Sequence, residues 1–215
     1  MTIKAYKPGT NSVGSGQVLH TPSTFGKARL VTHEMTDLLV LDLVEKRLVT
    51  DQLILSVSYD VENLTNPEIA KRYTGNIITA QHGRKIPKHA HGTANMGKQT
   101  SSARFILKAV MELYDRIVDE NLLVRRVSIA ANHVVDEASA KGKDAYEQLG
   151  LFSDYEEIQG DRKAAETRTQ KERQAQEAIL ALRKKYGKNM ILKGMSLEEG
   201  ATAKDRNSQI EGHKA

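Results

Sequence analysis

The chain has no cysteine and no tryptophan, and only four prolines and three phenylalanines in 215 residues. Without cysteine, disulfide staples and thiolate metal sites are excluded, which suits a reducing compartment such as the cytoplasm. No run approaches the roughly 20 apolar residues of a bilayer span, and the N-terminus lacks the apolar core of a signal peptide. A soluble, monomeric, cytoplasmic protein without a membrane partner is expected. The apolar fraction of 39% is low and concentrated in the first two-thirds, so the core is expected there.

A second absence is local. The chain carries 27 acidic residues, yet none lies between Lys71 and Met111. That stretch holds Lys71, Arg72, Arg84, Lys85, Lys88, Lys98, Arg104 and Lys108, interspersed with His82, His89, His91, Thr93, Asn95, Thr100, Ser101 and Ser102. An unopposed positive field with short hydrogen-bonding groups is what a polyanion backbone requires. The charges displace counterions and the polar groups set the register on phosphates. The net charge is only +5, so the signal lies in its distribution.

Residues 1–11 are polar and read as a linker, and 12–136 as one domain. Ser12 to Leu19 reads as a short strand with Gly14 and Gly16 at positions of close backbone approach. Ser23 or Thr24 caps a helix to about Lys46, with Ala28, Val31, Met35, Leu38 and Leu41 at helical spacing. Its acids Glu34, Asp37, Asp42 and Glu45 read as the solvated side. Asp51 to Glu62 alternates, with Leu53, Leu55, Val57 and Tyr59 on one face and Gln52, Ser56, Ser58 and Asp60 on the other. Asn63 to Pro87 is a long connection, with a strand extension expected around Gly75 to Ala80. Lys88 to Met96 alternates again, with Ala90, Ala94 and Met96 inward.

Ser101 or Ser102 caps a second helix with the stripe Ile106, Val110, Leu113 and Ile117, closed by Asn121. Leu123 to Ala131 is the last strand, with Val127 and Ile129 inward and Arg126 and Ser128 outward. The expected fold class is α+β in the order β-α-β-β-α-β. A four-stranded sheet carries both helices on one face, because each has a single stripe to bury. The other face is left small and polar with a basic surround.

Residues 137–155 have linker composition and contain Gln148, Leu149, Leu151 and Phe152. Bulky apolar side chains in a polar linker either dock in a partner's preformed pocket or fold back on the domain. Residues 156–215 read as a charged tail, helical to about Tyr186 with Ile179, Leu182 and Tyr186 as weak anchors, and disordered from Gly187 onward.

Taken together, SVGSGQVL, LVTDQLILSVSYD, KIPKHAHGTANMGKQTSSARFI and NLLVRRVSIAANHV resemble the little-finger domain of Y-family translesion DNA polymerases. More narrowly, they are similar to the UmuC/DinB-like enzymes of Gram-positive bacteria, as is the closing stretch KYGKNMILKGMSLEEGATAKDRNSQIEGHKA. The resemblance spans about residues 10–215 and rests on the order of individually weak motifs. It implies that the open sheet face lies against the primer–template duplex. The DNA-contacting set would be Ser15, Gln17, Arg84, Lys85, Lys88, His89, His91, Thr93, Asn95, Lys98 and Arg126. It further implies that Gln148, Leu149, Leu151 and Phe152 dock in the cleft of the sliding clamp.

The family's catalytic palm, fingers and thumb precede this domain, and here the chain starts where the thumb ends. The family's polymerases use magnesium in the palm, so no cofactor and no catalytic residue are expected in this chain. Two-metal phosphoryl transfer needs converging carboxylates, and those here are scattered. A zinc site on His82, His89 and His91 is the weaker reading, since a supporting carboxylate is missing nearby. A stand-alone regulator that competes with intact polymerases for DNA or clamp is the alternative.

Overall fold

The computed structural model describes residues 11–80, 83–140, 155–210 and 213–214. It is a mixed α+β fold. The first part runs β1 (Val13–Ser23), α1 (Phe25–Glu45), β2 (Leu48–Tyr59), α2 (Glu62–Thr65), α3 (Pro67–Ala70), β3 (Ile77–Thr79) and β4 (Lys85–Pro87). Then come β5 (Ala90–Thr100), α4 (Ala103–Ile117), β6 (Val124–Asn132), β7 (Val135–Asp136) and α5 (Glu137–Ala140). The C-terminal part holds α6 (Tyr155–Tyr186), a 3-10 turn at Gly194–Leu197, α7 (Ala203–Asn207), β8 (Gln209–Ile210) and β9 (His213–Lys214).

The main sheet has the order β1-β6-β2-β5, antiparallel at each junction, with β7 added beside the start of β2. β1 and β2 are therefore parallel with β6 between them, and β5 and β6 are parallel with β2 between them. Helices α1 and α4 make these two interleaved crossovers and bury their apolar stripes on one sheet face. Leu53, Leu55, Val57, Val127, Ile129 and Ala131 meet Ala28, Val31, Met35, Ile106, Val110 and Leu113 there, all at 2% exposure or less. Each fully buried aliphatic side chain of this set contributes about 1.5–3 kcal/mol. The α1 stripe is rotated from the expected one. Leu39, Val40 and Leu43 take the core, and Leu38 and Leu41 are only half-buried.

The helices are also joined directly. The Phe25 and Tyr114 rings lie 5.0 Å apart, and the Tyr114 hydroxyl donates to the Phe25 carbonyl. Arg29 forks onto Asp115 at 2.7 and 2.9 Å, a bidentate pair that holds the Asp115 carboxyl below its ordinary range. Gly92 on β5 allows α4 to approach closely, since a Cβ there would stand 2.8 Å from a Leu113 methyl.

Several expectations are corrected. The long connection from Asn63 to Pro87 contains α2, α3 and a separate β3–β4 hairpin. Helix α4 ends at Ile117, before Asn121, whose backbone N–H is taken by the Asp119 carboxylate. Glu137 does not begin a free linker, because its N–H donates to the Arg47 carbonyl. The 1–10 part of the N-terminal linker lies outside the described residues.

The largest correction concerns the tail, which packs on the outer side of α1. Glu34, expected in solvent, is 3% exposed, and its Oε2 accepts the N–H groups of Thr202 and Ala203 at 2.8 and 3.0 Å. A carboxylate from α1 thus satisfies the first amides of α7, which otherwise have no intrahelical partner. Lys193 reaches Asp37 at 2.6 Å, and Lys27 reaches Glu199 at 2.6 Å.

Helix α6 supplies the reciprocal contact at the start of α4. Glu172 accepts from the Ser102 hydroxyl at 2.8 Å and from the Arg104 N–H at 3.1 Å. Its docking line runs through Glu172, Arg173, Gln176 and Leu180, whereas Leu182 and Tyr186 are exposed. Ile179 is half-buried beside that line.

Replacing Glu34 by Ala strips three hydrogen bonds from the α7 start and leaves two amide donors unsatisfied. We expect the 187–210 segment to become several-fold more sensitive to limited proteolysis, with about 2–3 kcal/mol lost in denaturant unfolding. Unchanged protection would show that the tail is held by other contacts.

Candidate nucleic-acid interface

The sheet face opposite α1 and α4 is left uncovered by the helix layer. Its residues follow from the strand register, since directly paired residues point to the same side. One row across the sheet is Asn132, Gln52 and Asn95, and the next is Gly14, Ala130, Ile54 and Thr93. Then come Gly16, Ser128, Ser56 and His91, and beyond them Val18, Arg126 and Ser58. Most of these side chains are small and uncharged. Arg126 is the only formally charged one in the four rows, and no carboxylate is among them.

The face is ordered by its own hydrogen bonds. Asn132 Nδ2 donates to Gln52 Oε1 at 3.2 Å, and Gln52 Nε2 donates to Asn95 Oδ1 at 2.9 Å, an amide ladder across three strands. Ser56 Oγ and His91 Nδ1 lie 2.7 Å apart. Gly16 keeps β1 low beside Arg126, because a Cβ there would lie 2.9 Å from Ser128 Oγ and 3.5 Å from the guanidinium. Among the described residues, no ion pair engages Arg126, Arg84, Lys85, Lys88 or Lys98. Two acids flank the sheet at opposite ends of β2. Asp51 lies 3.0 Å from His133, and Asp60 lies 3.7 Å from Arg125. Nine residue steps of strand hold them about 30 Å apart, so they cannot share a metal.

The expected contact set divides into three groups. His91, Thr93, Asn95 and Arg126 come together on the open face, with Lys88 and His89 exposed where the chain enters β5 beside Ser58. Arg84 and Lys85 are exposed on the separate β3–β4 hairpin, flanking the sheet rather than lying in it.

Ser15, Gln17 and Lys98 are not on the face. Ser15 pairs with Ile129 and Gln17 with Val127, both core residues, so both point to the helix side. Gln17 is occupied by the tail, accepting from Arg206 at 2.8 Å and from the Thr202 hydroxyl at 3.3 Å. Burial pushes that Arg206 guanidinium below its ordinary value, and the nearby Glu34 charge opposes the shift. Counting parity from Val13 and Leu19, which share the side of Ser15 and Gln17, was the signal available in the sequence. Lys98 is displaced by a bulge: Gln52 to Thr50 is two steps on β2, but the partners Asn95 to Thr100 are five steps on β5. Gly97 lies inside it with a φ of 72°, a left-handed conformation that glycine adopts without strain. Lys98 Nζ consequently lies 4.5 Å from the centroid of the Phe105 ring on α4.

Gln52, Ser56 and Ser58 lie on the side opposite the core, as their alternation indicates, but the expected contact set left out Gln52. Asn132 and the glycines Gly14 and Gly16 were not read as parts of the face. His82 and the peptide Gln148, Leu149, Leu151 and Phe152 lie outside the described residues. Among the described residues, no group of three or more His, Asp or Glu side chains converges as a metal site requires. No described helix is long and apolar enough to cross a membrane. Compared with known proteins, the chain matches no family model and no curated sequence.

Ile54 lies on the open face and Leu55 beneath it at 0% exposure. Ile54→Glu is expected to keep a cooperative melt within about 1 kcal/mol of the parent. Leu55→Glu should abolish it by burying an unpaired charge. Equal damage from both, read by circular dichroism, would mean that the face is covered in solution.

Proposed function

We propose that this chain is the little-finger domain and tail of a Y-family translesion DNA polymerase of the UmuC/DinB-like kind, and that it holds primer–template DNA through the open sheet face. The observation that carries the reading is that face itself. Its rows are built mostly of glycine, alanine, serine, threonine and amide side chains, with Ile54, Val18 and His91. Among the described residues they hold no carboxylate and one guanidinium without an ion pair, Arg126, in the end row. Lys88, His89, Arg84 and Lys85 stand along one flank. Such a surface admits close approach of a duplex backbone, and its amides and hydroxyls donate to phosphates without reading base sequence. The β-α-β-β-α-β order with both helices on the other face supports the same reading.

The chain contributes binding rather than catalysis in this reading. Three of its acids serve the fold, with Glu34 and Glu172 at helix starts and Asp115 paired with Arg29. The peptide Gln148, Leu149, Leu151 and Phe152 is the sliding-clamp contact, placed just after the domain.

Binding of a fluorescent primer–template duplex over about 50–200 mM salt tests the DNA reading. We expect sequence-indifferent binding that weakens by orders of magnitude across the series. Arg126→Glu should weaken it roughly tenfold and reduce the log–log salt slope by about 1. Salt-insensitive binding, or none at the lowest salt, would reject it. For the second contact, capture of the chain by immobilised bacterial sliding clamp should disappear when Leu151 and Phe152 are both changed to Ala. Undiminished capture would place the clamp contact elsewhere.

A further inference from the structure

The basic character of the open face continues past the edge strand β5. At Gly97 the bulge turns Lys98 off the sheet and onto the α4 side, where it meets Phe105. Arg104 approaches the same ring, with its guanidinium carbon 4.8 Å from the centroid. Lys108, one turn further along α4, lines the same shallow cavity of about 170 Å³ with Asn95, Lys98 and Phe105. Asn95 belongs to both surfaces, as the end of the amide ladder and as a wall of this cavity. Among the described residues the lining holds two cations, Lys98 and Lys108, and one carboxylate, Glu112, which lies 3.8 Å from Lys108. Arg104 adds a third cation just outside it, on the same ring.

Phe105 is also 37% exposed, although α4 has a well-filled core stripe through Ile106 and Val110. A ring left at the surface among cations, next to a sheet edge, combines the two elements by which proteins hold single-stranded nucleic acid. One is a face on which a base stacks, and the other is positive charge for the phosphates on either side. A duplex cannot present its bases to this ring, because they are stacked within the helix. An unpaired strand leaving the open face over β5 can.

Resting on the DNA reading above, we propose that Phe105, Lys98, Arg104 and Lys108 form a stacking site for the single-stranded part of a template, where it leaves the duplex over the β5 edge. A base takes the place of one cation on the Phe105 ring, and the displaced cation moves to the adjacent phosphate. The site is indifferent to sequence, since every base offers a face.

The test compares the full chain binding a blunt fluorescent duplex with the same duplex carrying an unpaired template extension of about six nucleotides, at fixed salt. The extension should tighten binding about tenfold, within the range that one or two stacked bases supply. Phe105→Ala should remove most of that gain, leaving the blunt-duplex affinity and the melting temperature near the parent values, and Lys98→Met should weaken the extended duplex more than the blunt one. Phe105→Tyr should keep the gain. If the extension adds nothing to the parent chain, or if Phe105→Ala retains the full gain, the stacking site is wrong and duplex binding stands. If neither DNA binds, the reading of the open face falls and this site falls with it.

Discussion

Two helices, each with one apolar stripe, have to be buried against a sheet that is reached by two interleaved crossovers. That requirement places α1 and α4 on the same face and commits Leu53, Leu55, Val57, Val127 and Ile129 to the core. Every other residue of the central strands then turns to the opposite side. The open face is a consequence of this packing, and its composition follows strand by strand from a period of two. The Arg29–Asp115 fork and the Tyr114 hydroxyl bond lock the helix pair in register over that core.

The tail adds a third layer outside the helices, held mainly by polar contacts at its described positions. Two carboxylates are exchanged across the junction. Glu34 of α1 satisfies the first amides of α7, and Glu172 of α6 satisfies the start of α4. Each places negative charge at the positive end of a helix dipole, and that of Glu34 is buried. Because the described part of the tail lies against α1 and the helix side of β1, it is on the side of the sheet opposite the rows that include Arg126. The polar strand face and the polar tail contacts therefore occupy opposite sides of the molecule.

How far the candidate site was legible depends on the strand. In β2, β5 and β6 the alternation is clean, and His91, Thr93, Asn95 and Arg126 are where their parity puts them. In β1 the small residues Gly14, Ser15 and Gly16 carry little hydrophobic signal, and Val18 is exposed on the open face at 57%. A one-residue error there moves a whole set to the wrong side, which is what happened to Ser15 and Gln17. Lys98 was misplaced for a different reason. Alternation holds only while pairing is regular, and the bulge around Gly97 breaks it.

From the sequence alone follow the α+β order, the two helices with their stripes, the alternating central strands and an acid-free basic stretch, because these depend on local periodicity and local charge. Tertiary structure alone decided that Glu34 is a buried cap, that Gln17 belongs to the tail, and that Lys98 crosses the sheet edge to Phe105. Glu34 and Thr202 lie 168 positions apart, and a helix acid shows no sign in sequence that a distant segment will cover it. Burial and partnership of a polar group are set by what packs over it, and only the folded chain brings that segment near.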